Sequence, residues 1–388
     1  SEFGNSEFFM RLPHFLAAVL ILLLIWQFVM RLNFTRFEAL SAVAVVATTT
    51  GFLITAGVIM TDMFLSLSMV MAMVGFWRGW HGEKRYVYLM YAGLGFGLLI
   101  KGPLILVLAG LVILPWIVIS SGVRQMWGQI FQRLNIFTGI PLMLLIATPW
   151  YFLAEQATPG FLEYFFVGEY YQRFFVSGWE GDLYGSGHAR TRGTIWIYWF
   201  LFALPWSPFL LLSGIKSIYR RKTGLPEDRL VLFLVLWMSS PMVLFTFAGN
   251  ILPAYIVPGL PAVGLLMIKI YDVKRINSGK FLLLVGPAVL LILNLYIILV
   301  GADKYSDKSL LENGFDSTQA LYYLDSRPYS AQYYSDGKAK LSTAFPDEKR
   351  FYLAINKGSE SGQIEDYCQL RSKNERRGLF FCQRDDPT

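Results

Sequence analysis

The chain has 388 residues, of which 55% are hydrophobic, 16% aromatic and 16% charged. Such a composition is too apolar for a soluble globular domain and is typical of a polytopic helical membrane protein. The net charge of +7 does not indicate a nucleic-acid partner, because much of the basic charge lies in short connections between apolar runs, where membrane topology accounts for it.

About ten apolar runs are long enough to cross a bilayer, since roughly 20 apolar residues span its hydrocarbon core. They lie at 12–30, 38–60, 63–79, 86–101, 103–120, 134–150, 195–215, 230–248, 251–269 and 281–300. We therefore predict an all-α polytopic membrane domain over residues 1–300.

Connections rich in Lys and Arg alternate along the chain with connections of a different kind. The basic ones are 31–36, 78–85, 124–133, 216–229 and 269–280. Between them come 61–62, 101–102, 150–192 and 249–250. Because basic loops face the cytoplasm, the second set is expected on the outer face of the membrane, together with the polar residues near the ends of the spans.

The first apolar run leads into a basic connection, so its N-terminal end is expected outside. A chain that starts outside without a visible cleavable signal usually needs an earlier span to deliver it there. The topology thus predicts that at least one transmembrane helix precedes Ser1.

The connection at 150–193 is too long for a simple link. From Pro159 it runs PGFLEYFFVGEYYQRFF, which is dense in aromatic residues, and Glu169 and Arg173 are spaced i,i+4. This pattern predicts a helix that lies in the interface of the outer leaflet. The next stretch, SGWEGDLYGSGHARTRG, is rich in Gly and polar residues and predicts an irregular loop.

Beyond residue 300 the composition becomes that of a small soluble domain, and the charge alternation places it outside as well. The segments ALYYLD, PYSAQYY and RFYLAI favour β-strands, so residues 301–388 are predicted to form a small α/β domain. Both cysteines of the chain, Cys368 and Cys382, lie there. An oxidising compartment permits a disulfide between them, and the alternative is two unpaired thiols.

Charged residues interrupt apolar sequence at the ends of two spans. Asp62, in GVIMTDMFLSL, is either a solvated turn residue or a general base, metal ligand or substrate contact, since ionisable groups in membranes are costly. Lys101, in GLGFGLLIKGPLILVL, either extends to the lipid headgroups or binds a phosphate dianion, which a partly desolvated ammonium attracts strongly.

Further polar residues are expected on the same face. Glu169 and Arg173 form either an ordinary surface ion pair or part of a site, in which the guanidinium clamps a phosphate and the carboxylate is catalytic. His188 is either exposed, or orients a phosphate or binds a metal, although no complete ligand set has metal-site spacing. The turn GNILPAY, with Asn250 and Tyr255, is either a Pro-kinked turn or a polar lip over a substrate. Together these residues indicate a site for a phosphate-bearing amphiphile that enters from the lipid.

Several stretches resemble those of the GT-C membrane glycosyltransferases, in the superfamily of the bacterial aminoarabinose transferases and protein O-mannosyltransferases. MTDMFL resembles the family's second outer-loop Asp segment, and IKGPL its Lys-Gly-Pro turn. PWYFLAEQATPGFLEYFFVGEYYQRF is the most specific match and is similar to the family's interfacial helix. GHARTRGTIWIY and GNILPAY resemble the His-containing segment and the Lys-Leu-Pro-x-Tyr turn. The likeness extends to about residue 270.

The resemblance implies a GT-C helical bundle that uses an undecaprenyl-phosphate sugar as donor at the periplasmic face of the bacterial inner membrane. By matched position, it implies that Lys101 and Arg173 hold the donor phosphate and that Asp62 belongs to the active-site cavity, which Tyr255 lines. It implies no certain cofactor beyond the donor substrate and leaves a divalent metal possible.

The chain also departs from the family pattern. Tyr170 stands where some members have His, which puts a metal contact in doubt, and Asn250 stands where others have Lys. The acidic pair and the Glu-Lys-Pro stretch of the family's first outer loop have no counterpart, and the opening FGNSEFFMRLP resembles the segment after that loop. Resemblance and topology therefore both predict that the first span and first outer loop are missing. If the acidic pair supplies the general base, this chain alone is expected to be inactive.

The residues and the resemblance together predict an integral-membrane glycosyltransferase. It would move the sugar to a lipid A-like lipid, a glycan or a protein, with the bilayer, donor and acceptor as partners. One alternative is a transporter or flippase of lipid-linked sugars that uses the same cavity for binding only. Another is an inactive fragment or scaffold. The concentration of charged residues on one face favours the enzyme.

Overall fold

The computed structural model describes residues 6–179, 181, 188–220, 228–271, 306–324, 326–358 and 367–384, together with isolated positions between 284 and 299. The chain separates into two compact units, Ser1–Leu290 and Leu291–Thr388, which are described in turn. The predicted span at 281–300 and the basic connection at 269–280 lie largely outside the described residues, as does the middle of the Gly-rich loop.

The first unit is built of helices, as the composition predicts. In chain order they are α1 (Glu7–Arg31), α2 (Arg36–Ala47), α3 (Thr50–Gly57), α4 (Thr61–Trp80), α5 (Arg85–Lys101), α6 (Leu104–Ser121), α7 (Val123–Arg133), α8 (Ile136–Ala157), α9 (Phe161–Glu163), a π-helix (Tyr164–Gln172), α10 (Arg173–Phe175), α11 (Thr194–Phe202), α12 (Ser207–Arg220), α13 (Arg229–Phe245), a 3-10 helix (Pro253–Gly259) and α14 (Pro261–Ile270).

Among the described residues, four helices are long and apolar enough to cross a membrane, namely α1, α4, α6 and α8. Three bent pairs pass the same test, which gives up to seven spans: α2 with α3 at 68°, α11 with α12 at 114°, and the 3-10 helix with α14 at 53°. The first of these bends lies in the predicted span 38–60, where Thr49 is extended and its hydroxyl donates to the carbonyl of Val46 at 2.9 Å. The predicted number of about ten spans stays a prediction.

Glycines bring α4 and α5 into close antiparallel contact. A Cβ atom at Gly75 would lie 2.4 Å from the backbone nitrogen of Met90, and one at Gly93 would lie 2.7 Å from the carbonyl oxygen of Ser68. Small residues let membrane helices approach at backbone distance, and Gly at these positions does so here. The two helices are antiparallel, so the first residues of α4 lie beside the last residues of α5. The packing therefore places Asp62 and Lys101 at the same end of the helix pair.

The segment after α8 is helical, as predicted, but it begins later and is not a regular α-helix. Gly160 precedes it with φ of 88°, and the carboxylate of Glu155 accepts hydrogen bonds from the amides of Gly160 and Leu162 at 3.0 and 2.8 Å. Its centre, Tyr164–Gln172, is a π-helix, a form that is frequent at functional sites. The rings of Tyr171 and Phe175 are exposed along it, and its place in the membrane interface stays a prediction.

The second unit contains a five-stranded mixed sheet in the order β2-β1-β3-β5-β4. The strands are β1 (Ala320–Leu324), β2 (Ala339–Ser342), β3 (Arg350–Asn356), β4 (Cys368–Lys373) and β5 (Arg377–Gln383), with helices α15 (Asp307–Glu312) and α16 (Tyr329–Tyr334). Strands β1, β2 and β3 are parallel, and β5 is antiparallel to both β3 and β4. Cys368 and Cys382 lie directly opposite each other on β4 and β5 and form a disulfide.

One predicted strand of this unit is wrong. ALYYLD and RFYLAI contain β1 and β3, whereas PYSAQYY forms helix α16. Its inward residues are Ala331 and Tyr334, which contact the same apolar cluster and are spaced i,i+3. That spacing places them on one side of a helix, and Pro328 just before the first turn is compatible with a helix start.

Candidate functional site

Asp62 and Lys101 form an ion pair. The ammonium of Lys101 lies 2.7 Å from Oδ1 of Asp62, although the residues are 39 positions apart in sequence. The Asp62 side chain is 5% exposed and that of Lys101 is 20% exposed. Asp62 also lies in the first turn of α4, where the helix dipole favours a carboxylate. The structure therefore favours a built site over a solvated turn residue and a lysine that extends to the headgroups.

The turn after Lys101 is shaped by a glycine. Gly102 has φ of 44° and ψ of −143°, a conformation that side chains strongly disfavour. A Cβ atom there would lie 2.7 Å from the hydroxyl oxygen of Tyr170 and 2.9 Å from the ring of Phe165. The missing side chain thus lets the π-helix pack directly against the turn. Burial raises the pKa of Tyr170, so this hydroxyl stays protonated at neutral pH.

A second carboxylate and cation are held together on the π-helix segment. Nη1 of Arg173 donates to Oε2 of Glu169 at 2.7 Å, and the hydroxyl of Tyr164 donates to Oε1 of the same carboxylate at 2.6 Å. The two charged side chains are 22% and 18% exposed, so the pair is less accessible than a typical surface pair. Tyr164 and Arg173 together fix the orientation of Glu169.

Both ion pairs line one cavity of about 540 Å³. Its polar lining includes Asp62, Lys101, Glu169, Arg173 and Asn250. Its apolar and aromatic lining consists of Met60, Ile100, Leu104, Phe161, Tyr164, Phe165, Tyr170, Phe174, Phe245, Leu252 and Tyr255. The structure thus brings these five polar residues together, and the cavity combines charged groups with an apolar wall.

Tyr255 and Asn250 contribute to this cavity in different ways. The Tyr255 ring lies 5.1 Å from Nζ of Lys101, within the range of a cation–π contact. The amide of Asn250 is occupied by backbone: Nδ2 donates to the carbonyls of Arg173 and Val176 at 2.7 and 2.8 Å, and Oδ1 accepts from Gly178 at 3.0 Å. Asn250 therefore holds the end of the segment that carries Arg173, which indicates a positioning role more than direct substrate contact.

His188 is not among the residues that line the cavity. Its backbone carbonyl accepts a hydrogen bond from Ile251 at 3.1 Å, and Ala189 forms a β-bridge with Asn250. His188 therefore lies close to the predicted turn, but only its backbone contact supports the site. Its proposed contact with a phosphate or a metal stays a prediction.

Three residues that shape the site have no functional signal of their own in the sequence. Tyr164 holds Glu169, and Tyr170 packs on Gly102. His14 of α1 is 7% exposed, and its Nε2 accepts the amide of Met60 at 3.2 Å, just before the helix that carries Asp62. Only the density of Tyr in the π-helix segment is visible in the sequence. The contact of His14 depends on residues 46 positions apart and has no local signal.

The arrangement can bind a phosphate and accept a proton. Lys101 is paired with Asp62, and Arg173 is paired with Glu169. A phosphate group can compete with these carboxylates for the two cations, because it forms the same kind of charge-assisted hydrogen bond. A carboxylate released in this way is a proton acceptor. Among the described residues, no group of three or more His, Cys, Asp or Glu side chains is arranged to hold a metal. A divalent metal in this site stays a prediction.

A family model matches the first part of the chain. The model of the family "Dolichyl-phosphate-mannose-protein mannosyltransferase" matches residues 1–165. This range includes α4, the Lys-Gly-Pro turn and the first part of the π-helix segment. It therefore includes Asp62 and Lys101.

Curated relatives carry the name "Undecaprenyl phosphate-alpha-4-amino-4-deoxy-L-arabinose arabinosyl transferase". The protein from Erwinia tasmaniensis is 27% identical over 291 residues, which cover 72% of this chain and 48% of that protein. The one from Edwardsiella ictaluri is 28% identical over 302 residues, which cover 75% of this chain and 50% of that protein. The chain thus spans about half the length of the curated relatives it matches.

Two solved structures share the fold. They are ArnT from Cupriavidus metallidurans bound to undecaprenyl phosphate, with a TM-score of 0.71, and the same protein in the apo state, with a TM-score of 0.69. Each match has 15% sequence identity and covers 96% of this chain and 83% of the other. At this identity the likeness establishes the arrangement of the helices, and the chemistry has to be argued from the residues of this chain.

Proposed function

We propose that this chain is a member of the GT-C glycosyltransferase superfamily of the aminoarabinose transferases and protein mannosyltransferases, and that it is an integral-membrane enzyme that transfers a sugar from an undecaprenyl-phosphate donor. The observation that carries the proposal is the cavity in which the Asp62–Lys101 and Glu169–Arg173 pairs meet beside an apolar and aromatic wall. The charged groups suit the phosphate and the reacting atoms, and the wall suits the isoprenoid chain.

Lys101 and Arg173 act on the donor phosphate. When the bond between the anomeric carbon and the phosphate oxygen breaks, negative charge grows on that oxygen and the cations stabilise it. The cavity is partly closed to water, so each cation has a larger effect there than in bulk solvent. Tyr255, beside Lys101, restricts where the ammonium can lie.

Asp62 and Glu169 act on the acceptor. One carboxylate takes the proton of the acceptor hydroxyl while its oxygen attacks the anomeric carbon, and undecaprenyl phosphate leaves. The products are the glycosylated acceptor, free undecaprenyl phosphate and a protonated carboxylate. Each carboxylate is paired with a cation in the structure. A donor phosphate that competes for this cation would free the carboxylate to accept the proton.

The membrane topology completes the proposal. With the basic connections in the cytoplasm, the cavity opens on the periplasmic side of a bacterial inner membrane that the chain crosses several times. The second unit would then also be periplasmic, where the Cys368–Cys382 bridge is stable. The acceptor is a lipid A-like lipid, a glycan or a protein. The names of the curated relatives make 4-amino-4-deoxy-L-arabinose the first donor sugar to test.

The test uses the protein as its gene encodes it, purified in detergent, with undecaprenyl-phosphate sugars and outer-membrane lipid. We expect release of free undecaprenyl phosphate that depends on an acceptor. We expect Lys101→Ala and Arg173→Ala each to lower the rate about 100-fold or more, as for loss of a group that stabilises charge in the transition state. Arg11→Ala is the matched control, because Arg11 also pairs with a glutamate four residues earlier but lies outside the cavity.

Saturable donor binding without release under any acceptor condition would contradict the transferase and favour a binding or transport role. Equal rates in Arg173→Ala and Arg11→Ala would contradict the role given to the cavity. A rate that persists after removal of the acceptor would mean hydrolysis of the donor instead of transfer.

A further inference from the structure

A second cavity, of about 170 Å³, lies at the opposite end of the helices that carry the first one. It is lined by Trp26, Gln27, Met30, Arg31, Arg78 and Tyr86, from α1, α4 and the start of α5. Arg78 follows Asp62 by 16 positions on α4, which corresponds to roughly 24 Å along the helix axis. That distance approaches the thickness of the hydrocarbon core, about 30 Å, so the two cavities belong to opposite leaflets.

Arg78 is a built part of this second cavity. It is 4% exposed, and its Nε and Nη2 both donate to the carboxylate of Glu83, with Nε at 2.9 Å from Oε1. The ring of Tyr86 lies against the guanidinium, 3.3 Å from its central carbon. These contacts fix the plane of the guanidinium. Among the described residues, no acceptor contacts its remaining nitrogen, Nη1.

Arg31 adds a second positive charge. It is the last residue of α1 and is exposed, and within the described parts of the chain its guanidinium forms no ion pair. The hydrogen bonds from Arg78 hold the pKa of the Glu83 carboxyl below its usual value. The charge of Arg31 lowers this pKa further, so Arg31 also interacts with Glu83. Since Glu83 neutralises only one of the two arginines, the cavity keeps a net positive charge.

We propose that this second cavity binds the phosphate group of an anionic phospholipid from the cytoplasmic leaflet. A liquid water occupies about 30 Å³, so the cavity has room for a group of about five heavy atoms, the size of a phosphate. Nη1 of Arg78 and the guanidinium of Arg31 supply the donors, and Trp26 and Tyr86 supply an aromatic wall at headgroup level. Basic pockets between membrane helices on the cytoplasmic side are suited to such headgroups. The proposal does not depend on the proposed transferase activity.

The experiment is a lipid titration followed by native mass spectrometry of the detergent-purified protein. The probes are a phosphatidylglycerol, a phosphatidylcholine of the same chain length, and inorganic phosphate. We expect saturable binding of phosphatidylglycerol in preference to phosphatidylcholine, weakened about fivefold by Arg31→Gln, which is the effect of one basic residue near a membrane surface. Arg31 is exposed, so this variant is expected to fold.

A control variant locates the effect. Arg124→Gln removes another exposed arginine of a basic connection, outside the cavity, and we expect it to leave phosphatidylglycerol affinity unchanged. A loss in Arg31→Gln alone supports the proposal.

Three results would overturn the proposal. Equal binding of the two phospholipids would show that the phosphate charge is not recognised. Equal losses in Arg31→Gln and Arg124→Gln would reduce the effect to general surface charge. Inorganic phosphate that binds as tightly as the lipid, with the same loss in Arg31→Gln, would assign the cavity to a free phosphate-bearing ligand instead of a lipid.

Discussion

The Asp62–Lys101 pair allows a test that separates charge pairing from packing. We consider Lys101→Met, Asp62→Asn and the double variant, in which each substitute has a volume similar to that of the residue it replaces. At 2.7 Å and an effective dielectric constant of about 20, the attraction between the two charges is about 6 kcal/mol. Desolvation of both groups opposes most of it, so the pair itself contributes little net stability.

Removal of one partner has a larger effect than removal of both. Lys101→Met leaves the Asp62 carboxylate, 5% exposed, without its cation, a situation that costs about 3–5 kcal/mol in fully buried pairs. Because Lys101 is 20% exposed, water can partly replace it, and we expect a loss of about 2–3 kcal/mol. The double variant leaves no charge unpaired and should recover most of this stability, although it should not bind donor phosphate.

The assay is thermal unfolding of the purified variants in one detergent, together with binding of undecaprenyl phosphate. We expect both single variants to unfold several degrees below the wild type and the double variant close to it. The reasoning is refuted if Lys101→Met unfolds at the wild-type temperature. It is also refuted if the double variant is less stable than both single variants. In that case the loss of stability in the single variants would come from lost packing and not from an unpaired charge.

Three further changes test other parts of the structure. Arg173→Lys keeps the charge but loses the planar fork, so we expect the dissociation constant of undecaprenyl phosphate, measured by titration, to rise about tenfold; an unchanged value would contradict bidentate binding. Gly102→Ala imposes a strained backbone and a clash with Tyr170, and it should cost about 1–3 kcal/mol in thermal unfolding, whereas Gly110→Ala, where a Cβ meets open space, should not. Cys368→Ser opens a bridge between residues 14 positions apart and should lower the unfolding free energy of the C-terminal unit by about 3 kcal/mol, measured by limited proteolysis. Thiol labelling of denatured, unreduced wild-type protein would contradict the bridge itself.

The helical membrane architecture can be predicted from sequence because its causes are local. A bilayer has to be crossed by runs of apolar residues, and the loops between them carry charge that depends on the side they face. Asp62, Lys101, Glu169 and Arg173 are visible for the same reason: each is a charged residue where apolar or aromatic sequence dominates. The small C-terminal unit is also visible as a change in composition, although its segment Tyr329–Tyr334 is a helix where the sequence predicts a strand.

The sequence by itself thus determined which segments are apolar enough for a membrane. It also determined which charged residues are energetically costly in such segments. Only the tertiary structure decided which of these residues meet. Asp62 and Lys101 are 39 positions apart in sequence, and the glycine contacts between α4 and α5 bring them together. The side-chain amide of Asn250 donates to backbone carbonyls 74 and 77 positions away. Arg78 and Arg31 line one cavity although they belong to different helices. The physical reason is that apolar periodicity and charge act along the chain, whereas pairing of buried groups depends on distances that only the packed helices define.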